Sequence, residues 1–219
     1  MSVSFSERIL KYKYLVVLLM LGISIAVGFG AKEIKLATNY RIFFSEDNPY
    51  LLKFDELEKV FTKVDALMVL VSPKDGNVFS KNTLEAVMET TDKVWQLPYV
   101  LRADSISNFQ YTEVDEDDLL VEDLVTTEDL EENEDLNKQL LAIKHVAMNE
   151  PLLVKRLISA KGDVTAIAAT IHMPGIDQAT ELPNLIATAR SMKKDLELKY
   201  PNIEFRLSGN QTMNNAFGE

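Results

Sequence analysis

The first pattern along the chain is an unbroken apolar run. Tyr14 to Ala31 reads YLVVLLMLGISIAVGFGA, 18 residues without a charge. At the α-helical rise this is roughly 27 Å, close to the ~30 Å hydrocarbon thickness of a bilayer. The run predicts a transmembrane helix over 14–31, preceded by a short cytoplasmic N-terminus over 1–13 and followed by a linker over 32–47. Tyr12 and Tyr14 stand at one edge, where amphipathic rings favour the interface. Arg8, Lys11 and Lys13 before the run are nearly balanced by Lys32, Lys35 and Arg41 after it, so charge orients the helix only weakly. A cleaved signal peptide is the alternative. Its apolar region is usually about 7–15 residues, and Gly28-Phe29-Gly30 is an imperfect cleavage site, so length favours a retained helix. Either way, residues after about 32 lie outside the cytoplasm.

Beyond the linker the pattern alternates between helical and strand periods over 48–209. Asn48-Pro49 offers an N-cap and a first helical position, and Tyr50, Phe54, Leu57 and Phe61 follow at helical spacing. Ala66 to Val71 is a continuous apolar run suited to a buried strand. A helix is expected from about Thr83 to Gln96, with Asn82 and Glu85 as a capping box. Its inward stripe is Leu84, Val87, Met88, Thr91, Val94 and Trp95. A second strand is expected from Tyr99 to Ile106, and a helix over 137–149. Leu153–Ser159 and Val164–Met173 read as a hairpin around Lys161-Gly162-Asp163. A long helix over 180–200 carries Leu182, Leu185, Ile186, Ala189, Met192, Leu196 and Tyr200 on one side and stops at Pro201. Ile203, Phe205 and Leu207 alternate with Glu204 and Arg206 in a half-buried strand.

Two strand–helix–strand units of similar length emerge, Ala66–Ile106 and Val164–Leu207. The fold class they predict is α+β: a membrane helix followed by a ferredoxin-like split βαβ sandwich. An acidic, partly helical insertion over 113–150 separates the units.

Charge sharpens this picture. Of the chain's 34 acidic residues, 13 fall between Glu113 and Asp135, where there is no Lys or Arg. Outside that stretch 21 acids face 23 bases, so the rest is nearly neutral. No basic face exists to displace phosphate counterions, which excludes nucleic acid as a partner. Cysteine is absent, which removes thiol chemistry and disulfides.

Candidate chemistry is sparse. There is no phosphate loop, nucleophile elbow or H-E-x-x-H motif, so no catalytic residue, cofactor or metal ligand is assigned and the chain is not read as an enzyme. His172 falls in a strand among core residues and is expected to be a satisfied, buried histidine. His145 is expected on a helix surface. Asp115, Glu116, Asp117 and Asp118 lack the spacing of a calcium loop and read as a solvated or docking segment. Asn210-Gln211-Thr212 is a glycosylation sequon in form only. Within the membrane run, Gly22, Ala26 and Gly30 recur every four residues, and such small residues let another helix approach closely. They form a candidate helix-packing face.

The order of segments carries a further likeness. After the basic N-terminus and apolar helix come Phe44-Ser-Glu-Asp-Asn-Pro49, a helix, an apolar strand, Asp75-Gly-Asn-Val-Phe79 and a helix ending near Leu97-Pro98. Asp104-Ser-Ile-Ser-Asn108, Asp118-Leu-Leu-Val-Glu-Asp-Leu-Val125 and Leu157-Ile-Ser-Ala-Lys-Gly-Asp163 follow. This resembles the first half-repeat of exporters of the resistance–nodulation–division superfamily, in the branch with MMPL-type and hopanoid-type lipid exporters. The resemblance implies a bacterial inner membrane protein whose first helix precedes a periplasmic porter domain, with 210–219 leading into a second membrane helix. It also implies partners: the bilayer, the remaining membrane helices and second porter domain of a full transporter, a hydrophobic or lipid substrate, and possibly further copies of the chain. The family's proton-relay acids lie in later helices, so none maps to a position here. The competing expectation is a single-pass membrane protein whose outer domain senses a ligand or binds a protein.

Overall fold

A computed structural model describes residues 10–30, 44–45, 47–60, 65–115, 118–131 and 134–217. The expected N-terminus over 1–9, most of the linker and the last two residues lie outside these. The chain divides into two units, 1–37 and 38–219.

The first unit holds helix α1, Lys13–Gly30. Leu15, Leu18, Leu21, Ile25 and Phe29 are all exposed, so apolar side chains point outward around the whole circumference. Among the described residues, no helix is long and apolar enough to cross a membrane. α1 opens on the charged Lys13, one residue ahead of the expected span over 14–31, and Ala31 lies outside the described residues. The uncharged helical stretch is then about 26 Å, short of the ~30 Å core.

The second unit begins with α2, Pro49–Val60, capped as the sequence predicts. The Asn48 Oδ1 accepts from the Tyr50 and Leu51 amides at 2.9 and 3.3 Å. Then follow β1 (Asp65–Pro73), α3 (Lys81–Trp95), β2 (Val100–Asp104), β3 (Gln110–Asp115) and β4 (Asp118–Asp123). The chain continues with α4 (Leu136–Asn149), β5 (Thr165–Ile171), α5 (Gln178–Lys199), β6 (Ile203–Ser208) and α6 (Asn210–Ala216).

The architecture is α+β around a four-stranded sheet of order β2-β5-β1-β6. Every neighbouring pair is antiparallel. The strands of each strand–helix–strand unit are therefore parallel but not adjacent. β5 lies between β1 and β2, and β1 lies between β5 and β6.

Alternation along the central strands decides which face is buried. Leu67, Val69 and Val71 of β1 and Ile167, Ala169 and Ile171 of β5 share one core with α3 (Leu84, Val87, Val94) and α5 (Leu185, Ile186, Ala189). All seven residues expected on the buried side of the long helix are buried. Each buried Leu or Ile removed from such a core costs about 2–5 kcal/mol. The opposite face of the sheet carries Ala66, Met68, Leu70, Ala168 and Thr170, which are only half-buried.

Four local expectations are corrected. Helix α3 starts two residues early because Ser80, not Asn82, is the cap: its Oγ accepts from the Thr83 amide at 3.3 Å. Trp95, expected inward, is 46% exposed at the helix end. The acidic stretch is not merely a loop with a helix. It opens with the β3–β4 hairpin, in register from Gln110 opposite Asp123 to Asp115 opposite Asp118, before α4. Its root is anchored, with the Leu124 amide donating to the Phe109 carbonyl at 2.8 Å. Finally, Leu153–Ser159 is not a hairpin strand. The Leu153 and Val154 amides both turn back to the Glu150 carbonyl, Lys155 has a φ of 63°, and one isolated bridge, Ile158 with Thr165, joins the segment to β5.

Candidate functional site

Gly22, Ala26 and Gly30 of the candidate packing face all fall within α1 at four-residue spacing. A Cβ built on Gly22 would meet nothing within 4 Å, and Ala26 is exposed, like most of the other side chains around α1.

The histidines divide. His145 is on the exposed side of α4, as expected. His172 is exposed, not buried: β5 ends one residue earlier at Ile171, and Met173-Pro174 leads the chain away. Its backbone amide still donates to the Tyr99 carbonyl at 2.9 Å. Among the described residues no group of three His, Cys, Asp or Glu side chains is placed to hold a metal ion.

Three clefts among the described residues flank α3, one of them against Thr127 and Leu130. The first, of ≈ 400 Å³, lies at the root of the hairpin and is lined by Met88, Asp92, Trp95, Asn108, Gln110 and Asp123, among others. Its floor is a hydrogen-bonded cluster that the sequence shows only as a run of small polar residues. The Ser105 and Ser107 hydroxyls lie 2.7 Å apart, and the Asn108 Nδ2 donates to the Ala103 carbonyl at 2.7 Å. The Asn108 Oδ1 accepts from the Ser105 amide at 2.8 Å. Buried hydroxyls and amides paired in this way cost little to desolvate and hold the chain rigidly after β2. The second cleft, of ≈ 590 Å³, sits between the start of α3 and α4. It has Phe79, Leu136, Leu140 and Leu141 below, with Lys81 and Lys144 at the rim. The Lys144 ammonium lies 5.9 Å from the Phe79 ring centroid.

No family model and no curated protein matches the chain. The site is therefore read from its own chemistry.

Three carboxylates have shifted acidity, and each shift has a structural cause. Glu181, on the first turns of α5, accepts from the Asp177 amide at 3.1 Å, and from Gly175 and Ile176 at 3.0 and 2.9 Å. These amides outweigh burial and hold its carboxyl below the usual range. Burial opposes ionisation of Glu89, but Lys199 and Tyr200, donating at 2.5 and 2.7 Å, together with Lys93, outweigh it and lower its pKa. Tyr200 moves upward, first through burial and then through its bond to Glu89. Asp163 is lowered chiefly by the Ser159 hydroxyl, which donates at 2.5 Å. Glu181 and Asp163 hold backbone turns in place, whereas Glu89 ties the middle of α3 to the end of α5 through Lys199 and Tyr200.

Proposed function

We propose that this chain is the N-terminal part of a proton-driven exporter of the resistance–nodulation–division type, moving hydrophobic or amphiphilic, lipid- or drug-like molecules. In this reading α1 anchors the chain in the bacterial inner membrane. The α+β unit is a periplasmic porter domain of ferredoxin-like, split βαβ build that contributes part of the substrate path.

The observation that carries the reading is the pairing of α1 with the sheet. A helix apolar on every side stands ahead of a domain whose strand order interleaves two β–α–β units. An apolar circumference is stable in lipid and costly in water. The shortfall of about 4 Å in α1 is of a size that membranes absorb by local thinning and by snorkelling of flanking lysines. Lys11 and Lys13 stand at that end. The open Gly22–Ala26–Gly30 face then receives a further membrane helix. Porter domains work by rigid-body movement against one another, and the well-filled core of this one suits it to move as a block.

Two experiments test the reading. Expressed in bacteria, the chain should stay with the membrane through alkaline carbonate washing, with its α+β unit open to protease only from the periplasmic side. Release into the wash would remove the anchor. For transport, cells lacking the gene should retain more of a hydrophobic dye or lipid than cells carrying it. Equal retention would leave a single-pass binding protein as the better reading.

A further inference from the structure

Among the described residues, two apolar surfaces in the second unit have no close partner, and they belong to neighbouring elements. The first is the stripe on α2. Tyr50 is 83% exposed, Leu57 55% and Phe54 44%. Their spacing places all three on one side of the helix, and among the described residues α2 packs closely on no other element. The second is the free face of the sheet, where Met68, Leu70, Ala168 and Thr170 form a strip of small and apolar side chains along β1 and β5. On the edge strands this strip is bordered by two neutral ion pairs, Arg102–Asp104 at 2.6 Å and Arg206–Glu204 at 2.8 Å. An apolar centre with a charged, self-neutralised rim is the anatomy of a contact surface.

We propose that α2 folds over this free face, laying Tyr50, Phe54 and Leu57 across Met68, Leu70, Ala168 and Thr170. The sheet then has helices on both sides. Dimensions allow it. The 12 residues of α2 make a rod of about 18 Å. Four strands spaced about 4.8 Å apart present a strip of roughly 14 Å from first to last. Four residues, 61–64, separate α2 from β1 in the chain, and four residues can span at most about 14 Å.

Size also selects the occupant. An apolar strip two strands wide with a charged rim, a few residues long, covers on the order of 300 Å² at most, well below the ~800 Å² per partner of a stable association between chains. A tethered helix needs no such area, because a short link gives it a millimolar effective concentration. Charge on the rim neither repels nor demands a partner. The inference is independent of the transport reading.

The absence of cysteine makes the test clean. In the full chain held in detergent micelles, Phe54→Cys with Ala168→Cys should form a disulfide within one chain. Phe54→Cys with Ala187→Cys, on the outer side of α5, should not. A second measurement guards against a misfolded double variant. A thiol reagent should label Ala168→Cys alone at least tenfold more slowly than the same variant carrying Phe54→Asp and Leu57→Asp. Equal bridging to both positions, bridging only between chains, or labelling whose rate ignores the α2 substitutions would each overturn the proposal.

Discussion

At the scale of single residues, backbone donors and close approaches decide most outcomes. Glu181 is the clearest case, since one carboxylate satisfies three amides ahead of α5. Its folded pKa lies below the ordinary glutamate value of about 4.5, so the stability it adds is present above that pH and fades as the solution is acidified through the folded value. Glu181→Gln should lower the thermal midpoint at pH 7. The gap from the parent chain should then close as the pH falls below about 4.5. Melting curves from pH 7 to 3 check this, and a constant gap would refute it. Gly209 is held as tightly. Its φ is 101°, and an added Cβ would collide with the Ala66 carbonyl, beside which the Asn210 Oδ1 accepts the Ala66 amide at 2.7 Å. Gly209→Ala should therefore destabilise by about 1–3 kcal/mol or more in denaturant titration. The bond from Ala66 also engages the only sequon side chain in structure, which leaves Asn210 poorly placed as a sugar acceptor.

At the scale of elements, burial separates what must be kept from what can be cut. Leu185→Ala, in the middle of α5 and fully buried, should cost about 2–5 kcal/mol. The β3–β4 hairpin pairs mainly with itself and closes where Leu124 donates to Phe109. Replacing 111–122 by a short turn should therefore shift the melting temperature far less than Leu185→Ala does. The elements legible in the sequence are those whose pattern has one cause. The stripe of α5 and the alternation of β6 each reflect a single buried face, and both match the structure. Misreadings arose where two causes compete. Trp95 continues the apolar stripe of α3 but stands where the helix ends, so the fold has nothing to put over it. His172 was counted with the strand, yet Met173-Pro174 turns the chain one residue sooner. The acidic run hid its hairpin because charge repulsion suggests loop, while Tyr111, Val114, Leu119 and Val121 favour a strand. The Ser105–Asn108 cluster gave no periodic signal, since side chain to backbone bonds have no period.

At the scale of the whole molecule, α1 and the open faces set the expectations. On the exporter reading proposed above, substituting Gly22 by Ile within α1 should leave the chain membrane-bound and its α+β unit folded, while reducing crosslinking to other membrane helices in cells. Unchanged crosslinking would mean that the Gly22–Ala26–Gly30 face packs on nothing. The strand order has a separate consequence, in time rather than in space. β1 is made early and ends at the centre of the sheet, but one of its two neighbours, β6, lies far along the chain. During synthesis, more than a hundred residues must emerge while one edge of the most apolar strand waits for its partner. A ribosome stalled before Ile203 would leave that edge bare. Nascent chains released there should be clients of holdases and proteases, whereas chains only a dozen residues longer should escape them.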